Sequence, residues 1–531
     1  MELLQNIETS TAEMVTISRV EYEALKAQNT DLSKQIEWLT EQIRLTRKKL
    51  FGSSSEKTQE EVVDQLSFLF NEAEAYIKPE EPEPEKTGVA AHTRQKRSGN
   101  IEEILPDGVP VEVVEHRLLE EERLCPACDT VMQEIGKEVR RTIVIEPAKF
   151  KIREDWYFSY ACGSCKAEAD ETPVVKTPKD KPVISGSFAS PEAIAHIMTQ
   201  KFVMYAPLYR QEQEYNRSGV MLSRQTMSSW ILKASEDWLK PVYDELHRQL
   251  LRRSVLHADE STLQVLREPG KSAQSKSYMW LYRTSGDTQQ PIVLYEYRPD
   301  RKAENPKRFL EGFSGYLHAD GYQGYYTLSE NITVVGCLAH ARRKFDEAVN
   351  SLMKSDQKDS SAMIGQQYCD KLFSIEDKLI DLSPEERYIK RLELEKPVLD
   401  ALLAWAQTIM AAPKSALGKA LYYLRGQWPH LIRYLEDGRL ELSNNRAERS
   451  IKPFVMSRKN FLFANTPNGA QGSAIIFSLI ETAKEHHLDP YRYLVYVLST
   501  APNLERTDPA WVISLLPANA PAQCRVPQKK C

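Results

Sequence analysis

Two apolar runs in this chain of 531 residues end in the same tripeptide, and that repetition restricts the fold more than any other feature. Ser254-Val255-Leu256-His257-Ala258-Asp259 and Gly315-Tyr316-Leu317-His318-Ala319-Asp320 each read as a short buried strand closed by an acid. A single acid at a strand end is commonly a turn residue. Two of them, each preceded by His-Ala, require a sheet whose strand ends lie side by side, so that Asp259 and Asp320 share a metal across 61 positions of sequence. Paired carboxylates give hard divalent ions oxygen ligands and leave positions open for phosphate. His257 and His318 each precede their acid by two residues and so share its strand face, where they flank the metal site or fill the inner face of the sheet.

The neighbouring pattern supports such a sheet. Tyr278-Met279-Trp280-Leu281-Tyr282 and Ile292-Val293-Leu294-Tyr295 read as strands, residues 304–311 as a helix, Ile332-Thr333-Val334-Val335 as a further strand, and a long helix begins near Leu338. Three strands in a meander followed by alternating helix and strand is the order of a ribonuclease H-like domain. A third carboxylate is offered by Glu448 in Leu442-Ser443-Asn444-Asn445-Arg446-Ala447-Glu448-Arg449-Ser450. Between residues 439 and 459 there are six basic residues and only two acids, Glu441 and Glu448. An acid inside a phosphate-attracting stretch suits a metal site, with Arg446, Arg449, Lys452, Arg458 and Lys459 as DNA contacts. The bland reading is a capping box between Asn445 and Glu448. Pro453 predicts that this helix kinks or ends early. Cys337 and His340 have no second ligand pair nearby and are expected to support the site from behind.

Upstream, Tyr22, Leu25, Asn29, Leu32, Ile36, Leu39, Ile43, Thr46 and Leu50 fall in alternating steps of three and four. Such a seam predicts a coiled coil over residues 17–51, joining two or more copies of the chain, or else a helix packed on its own domain. Residues 52–100 follow as an acidic Pro/Glu linker. Its stretch from 56 to 86 carries a net −7, against −5 for the whole chain, so the remainder is +2 and charge does not exclude a nucleic-acid partner. Cys125-Pro126-Ala127-Cys128 and Cys162-Gly163-Ser164-Cys165 are two CxxC knuckles separated by 33 residues. Cys125, Cys128, Cys162 and Cys165 thus suit one structural Zn2+ in a zinc-ribbon-like module over residues 101–180, with two strands between the knuckles. Residues 185–250 predict three helices. The last, from Arg224 to Lys233 behind a Ser223 cap, presents Arg224, Gln225 and Ser228 either to DNA, as in a helix-turn-helix, or to solvent. With no apolar run of about 18 residues and no secretory leader, a cytoplasmic protein without membrane contact is expected.

These residues carry a family resemblance. HADEST around Asp259, LHADGYQGY around Asp320, GCLAHARRKF over residues 336–345, and LSNNRAERSIKPF with the following RKNFLF resemble the DDE transposases of the insertion sequence sixty-six family. That family shares the coiled coil, the LFGSSSEK junction and the CxxC…CxxC module, so the resemblance covers nearly the whole chain. It implies that Asp259, Asp320 and Glu448 form a catalytic triad holding two Mg2+ (or Mn2+) ions. The chain is then multidomain α+β and α/β, with a catalytic domain over residues 251–487, a helical insertion at about 350–437, and a C-terminal segment, 488–531. The resemblance further implies DNA partners (terminal inverted repeats and target DNA), small accessory proteins of the same element, and a bacterial, nucleoid-associated location. The expected function is metal-dependent strand cleavage and transfer. A structure-specific nuclease of the same fold and a non-catalytic DNA-binding regulator are the alternatives.

Overall fold

The computed structural model describes residues 18–24, 26–28, 150–161, 174–176, 178–286, 290–507 and 509–526. The chain divides into two units, one of residues 1–52 with 178–525 and one of residues 53–177 with 526–531. In the smaller unit, strand β1 (Ser159–Ala161) pairs antiparallel with β2 (Val174–Lys176). Residues 150–158, expected to be strand, carry no regular structure and are exposed. The four knuckle cysteines, the acidic linker and most of the heptad seam lie outside the described residues. At the seam's start, residues 19–24 and 26–28 are helical. No described helix is long and apolar enough to cross a membrane.

From residue 178 onward, the larger unit opens with helices α1 (Pro191–Phe202), α2 (Leu208–Arg217) and α3 (Arg224–Ala234). Their starts follow the expected chemistry. Ser190 accepts a hydrogen bond from the Ala193 N–H with Pro191 in the first turn, and Ser223 accepts one from the Thr226 N–H. The third helix does not stop at Lys233. It widens into a π-turn over Ser235–Leu239 and continues as α4 (Lys240–Leu250). Pro241 explains the widening, because a proline cannot bond the carbonyl four residues back and its ring crowds it. Buried residues of these helices, including Ile194, Met198, Phe202, Met227, Ile231 and Leu246, share one apolar core with the sheet.

That sheet has five strands, β3 (Val255–Gln264), β4 (Lys276–Thr284), β5 (Val293–Arg298), β6 (Gly315–His318) and β7 (Ile332–Val335), in the order β5-β4-β3-β6-β7. The short helix α5 (Glu304–Phe309) lies between β5 and β6 in sequence, and α6 (Leu338–Asn350) follows β7. β3 does not end at Asp259, as its apolar run predicts. It pairs with β4 from Leu256 through Gln264, whereas its parallel pairing with β6 runs only from Val255 to His257. The acid therefore marks where one neighbour leaves the strand, and the strand itself continues.

The insertion consists of a single turn at Lys354–Gln357 and helices α7 (Ser361–Lys378), α8 (Pro384–Leu394), α9 (Lys396–Thr408) and α10 (Ala416–Leu431). Leu372, Leu399, Leu402 and Leu424 close a second core against Leu338 and Phe345 of α6. Beyond it, α11 (Asn445–Phe461), α12 (Pro467–Glu485) and α13 (Pro490–Thr500) return to the sheet. Pro453 neither ends α11 early nor removes its second half. Ile451, Phe454 and Val455 bury the face around it, and the carbonyl it leaves without a helical donor belongs to the exposed Arg449. On α12, the Ser478 hydroxyl accepts the Tyr295 N–H at 2.8 Å, and the Thr482 hydroxyl meets the backbone of Val293 at 3.0 Å. Helix side chains thus satisfy the outer edge of β5, which otherwise invites pairing with another chain.

Arg391 on α8 holds the insertion to the chain that leads back to α11. Wholly buried, it donates twice to Glu376 at 2.9 and 3.0 Å and to the carbonyls of Tyr434, Asp437 and Leu440 at 3.0, 3.2 and 2.7 Å. Removing it leaves three carbonyls without this donor and the buried Glu376 carboxylate with Arg387 in place of two arginines. Arg391→Met should therefore destabilise the protein by about 3–5 kcal/mol in urea unfolding, and a loss below about 1 kcal/mol contradicts this role.

Candidate active site

The parallel register of β3 and β6 pairs Val255 with Tyr316, Leu256 with Leu317, and His257 with His318. Carried two residues further, the same offset sets Asp259 against Asp320. The two histidine rings stack, with centroids 4.4 Å apart and planes 10° from parallel, and both are wholly buried. Burial pushes His257 down to about 4 and His318 well below the ordinary imidazole range, so both are neutral at pH 7. They line the inner face of the sheet and do not reach solvent.

Asn444 fixes the first of them. Its Nδ2 donates to the Ala258 carbonyl at 2.8 Å, which leaves Oδ1 to accept from His257 Nδ1 at 2.9 Å. Its own N–H donates to Cys337 Sγ at 3.1 Å, and its carbonyl accepts the Glu448 N–H at 3.2 Å. This wholly buried residue therefore ties β3 through its side chain, and the starts of α6 and α11 through its backbone, together at one point. Asn444 is also the N-cap of α11, yet its side chain makes no capping bond, and the capping box of Asn445 with Glu448 is not formed. His318 Nε2 accepts the Glu441 N–H at 3.2 Å, which adds a second bond between the sheet and this segment.

Each aspartate is oriented by a backbone N–H. Asp259 Oδ1 accepts from Glu260 at 2.8 Å and Asp320 Oδ1 from Tyr322 at 2.9 Å. Burial holds the Asp259 carboxyl well above its usual range, with Glu260, Glu448 and Asp320 adding repulsion. Glu448 is 3% exposed; its Oε2 lies 3.1 Å from Arg343 Nη2 and its Oε1 3.5 Å from His340 Nδ1. Crowded, mutually repelling carboxylates suit a divalent cation, which relieves that repulsion. Cys337, His340 and Glu448 also bring one ligand atom each within 4.8 Å of one another. That thiol-containing set suits a softer ion than magnesium, but burial and then Glu448 push the Cys337 thiol up to about 12.

Several participants escaped the sequence reading. Glu260, next to Asp259, is bonded by Tyr325 Oη at 2.6 Å and by Arg301 Nε at 2.7 Å, and burial raises it to about 7. Arg301 also lies 3.9 Å from Asp320 Oδ2. A second acid beside Asp259 was visible in HADEST, whereas Arg343 and Asn444 carry no signal of their own in a single sequence. Among the expected DNA contacts, Arg449 and Lys459 are exposed and Lys452 is half-buried. Arg446 pairs with Glu441 at 2.6 Å, and Arg458 bonds Thr262 Oγ1 at 2.7 Å. On α3, Gln225 is exposed and Ser228 half-buried, while Arg224 is exposed with its guanidinium 3.9 Å from Glu212.

The family described as Transposase IS66 family matches residues 186–472, more than half of the chain. Matches to the zinc-finger binding domain of transposase IS66 (residues 122–166), the IS66 C-terminal element (478–517) and the Transposase C of IS166 homeodomain (38–114) flank it. The chain belongs to the IS66 family of transposases. It is 28% identical over 493 residues to the uncharacterized protein y4jD of Sinorhizobium fredii (strain NBRC 101917 / NGR234), covering 90% of this chain and 93% of that one. It is 29% identical over 475 residues to y4hP of the same organism, covering 86% and 84%.

The raised Asp259 carboxyl has a measurable consequence. The folded protein keeps this proton at pH values where the unfolded chain, at its ordinary 3.8, has lost it, so its contribution to stability falls as pH rises through the raised value. Asp259→Asn removes that dependence. In metal-free buffer the variant should gain stability relative to wild type as pH rises from about 5 to about 8, read as a widening difference in urea midpoint. A constant difference contradicts the assigned environment.

Proposed function

We propose that this chain cuts and rejoins DNA strands at the ends of a mobile element, with Asp259, Asp320 and Glu448 holding two divalent cations, Mg2+ or Mn2+. The observation that carries the reading is the in-register pairing of His257 with His318 across parallel strands, each two residues before its acid. The strand order β5-β4-β3-β6-β7, antiparallel on one side of β3 and parallel on the other, supports a ribonuclease H-like core. Asp259 on β3, Asp320 two residues beyond the end of β6, and Glu448 on α11, whose start Asn444 fixes against β3, are the acids this reading brings together. When bound, the two ions activate water, and later the freed 3′-hydroxyl, and stabilise the leaving oxygen. Arg449 and Lys459, exposed on the same helix as Glu448, are proposed to hold the DNA backbone, with Arg224 and Gln225 on α3 as a second contact.

The four knuckle cysteines Cys125, Cys128, Cys162 and Cys165 form, in this reading, the zinc site of the matched zinc-finger domain. Two element ends are held together by pairing of the N-terminal seam, and small proteins of the same element assist.

An assay with labelled element ends and Mg2+ separates this function from its rivals. Joined product supports a transposase, nicked product alone a nuclease, and bound but uncut DNA a regulator. Asp259→Asn, Asp320→Asn and Glu448→Gln should each abolish cleavage while leaving DNA binding within about twofold, because each removes a charged ligand with little change in volume. Wild-type cleavage by any one variant removes that residue from the site. Metal analysis should find about one Zn2+ per chain, lost in Cys128→Ser. Zinc-free protein prepared without chelator excludes the cysteine assignment.

A further inference from the structure

Cys337, His340 and Glu448 form a cluster of which the two-cation reading uses one member. We propose that the three make a second cation site, apart from the aspartates, that takes a thiophilic divalent ion such as Zn2+ and, when filled, withdraws Glu448 from the Mg2+ ions. The binding stands on these three residues alone, whereas the inhibition rests on the carboxylate reading above.

The backbone brings the ligands together. Cys337 is the N-cap residue of α6, His340 lies three residues on in its first turn, and Glu448 lies in the first turn of α11. The Asn444 N–H donates to Cys337 Sγ at 3.1 Å, and the Leu338 N–H donates to the Leu442 carbonyl at 3.1 Å. These bonds join the two helix starts, so the cluster is assembled before any ion arrives. One ligand atom from each residue lies within 4.8 Å of the other two, and His340 Nδ1 is 3.5 Å from Glu448 Oε1. A tetrahedral ion with bonds of about 2.0–2.3 Å spaces its ligands about 3.3–3.6 Å apart, so the cluster needs only to contract slightly.

The chemistry selects the ion. His340 Nδ1 is inaccessible and has no hydrogen-bond partner among the described residues, and an ion supplies one. Arg343 bonds the other oxygen of Glu448, Oε2, and keeps it when Oε1 turns to the ion. Binding breaks the Cys337 S–H bond and its proton passes to the buffer, because a coordinating thiol is deprotonated outright. The thiolate and the carboxylate then balance the two charges of the ion. Sulfur and imidazole suit Zn2+ or Co2+, whereas Mg2+ and Mn2+ favour oxygen, so this cluster and the aspartates divide ions by softness. Three protein ligands leave one position for water. The His340 side chain is 22% exposed against 3% for Glu448, so the ion enters from the side of the imidazole.

Titration of the full chain with Co2+ is the test, since a thiolate bound to cobalt gives a charge-transfer band in the near ultraviolet. The difference between wild type and Cys337→Ser isolates this site from the other cysteines. That difference should saturate at one Co2+ per chain, weaken by about tenfold or more in His340→Gln, and persist in Asp259→Asn. Thermal unfolding checks that the variants are folded. In Mg2+-dependent cleavage of labelled element ends, Zn2+ should halve the wild-type rate at a concentration about tenfold below that needed for Cys337→Ser or His340→Gln, each measured against its own zinc-free rate. No difference band, or one unaltered in folded His340→Gln, overturns the site. Equal sensitivity of wild type and both variants to Zn2+ overturns the inhibition. The carboxylate reading fails separately, through wild-type cleavage by Glu448→Gln in Mg2+ alone, which leaves the cobalt band of the wild type standing.

Discussion

Three parallel pairs between β3 and β6 determine the geometry of everything that follows. Because side chains alternate along a strand, a slip of one residue in that register moves His257 to the opposite face from His318. The stacked, neutral His257 and His318 sit directly below the acids and lock the register, since any slip breaks a wholly buried ring pair. β3 then continues along β4 alone, so that its pairing with β6 ends two residues before Asp259.

The second determinant is a set of buried polar side chains that bring distant segments to this opening. Asn444 binds the backbone next to Asp259 and the Cys337 thiol, Arg391 binds the carbonyls of the approaching chain, and Arg283 on β4 pairs with Glu485 at 3.0 Å and with Ser450 of α11. Each is nearly or wholly inaccessible, so an incomplete set of partners is costly. The insertion between α6 and α11 folds as helices around a second core that it shares with Val255 and Val335 of the sheet, yet its return is specified by hydrogen bonds to a few atoms. Long insertions of this kind are tolerated when their ends are held close together.

The sequence revealed these features unequally, for physical reasons. Asp259 and Asp320 stood out because a repeated apolar run with the same ending is a pattern in one chain, and Glu448 because an acid among basic residues is conspicuous. The strands from 276 to 335 followed from their apolar runs, with errors of a few residues at their ends. The continuation of β3 past Asp259 was hidden, because Glu260, Ser261 and Thr262 look like the start of a loop when the partner β4 is unknown. Pro453 misled, since a proline in a helix is tolerated when the neighbouring face is well buried. Asn444 went unread because the cap was assigned to Asn445, and Arg343 was legible only as one of several charges in Ala-Arg-Arg-Lys, because burial and cross-helix partners are properties of the tertiary fold.

The central claim is that Asp259, Asp320 and Glu448 together bind the divalent ions. Crystals of the protein soaked in Mn2+ and measured at the manganese absorption edge locate them directly. Anomalous density is expected between the carboxylates of Asp259 and Asp320, with Glu448 turned towards it. Density confined to Cys337, His340 and Glu448, with none between the two aspartates, would contradict it.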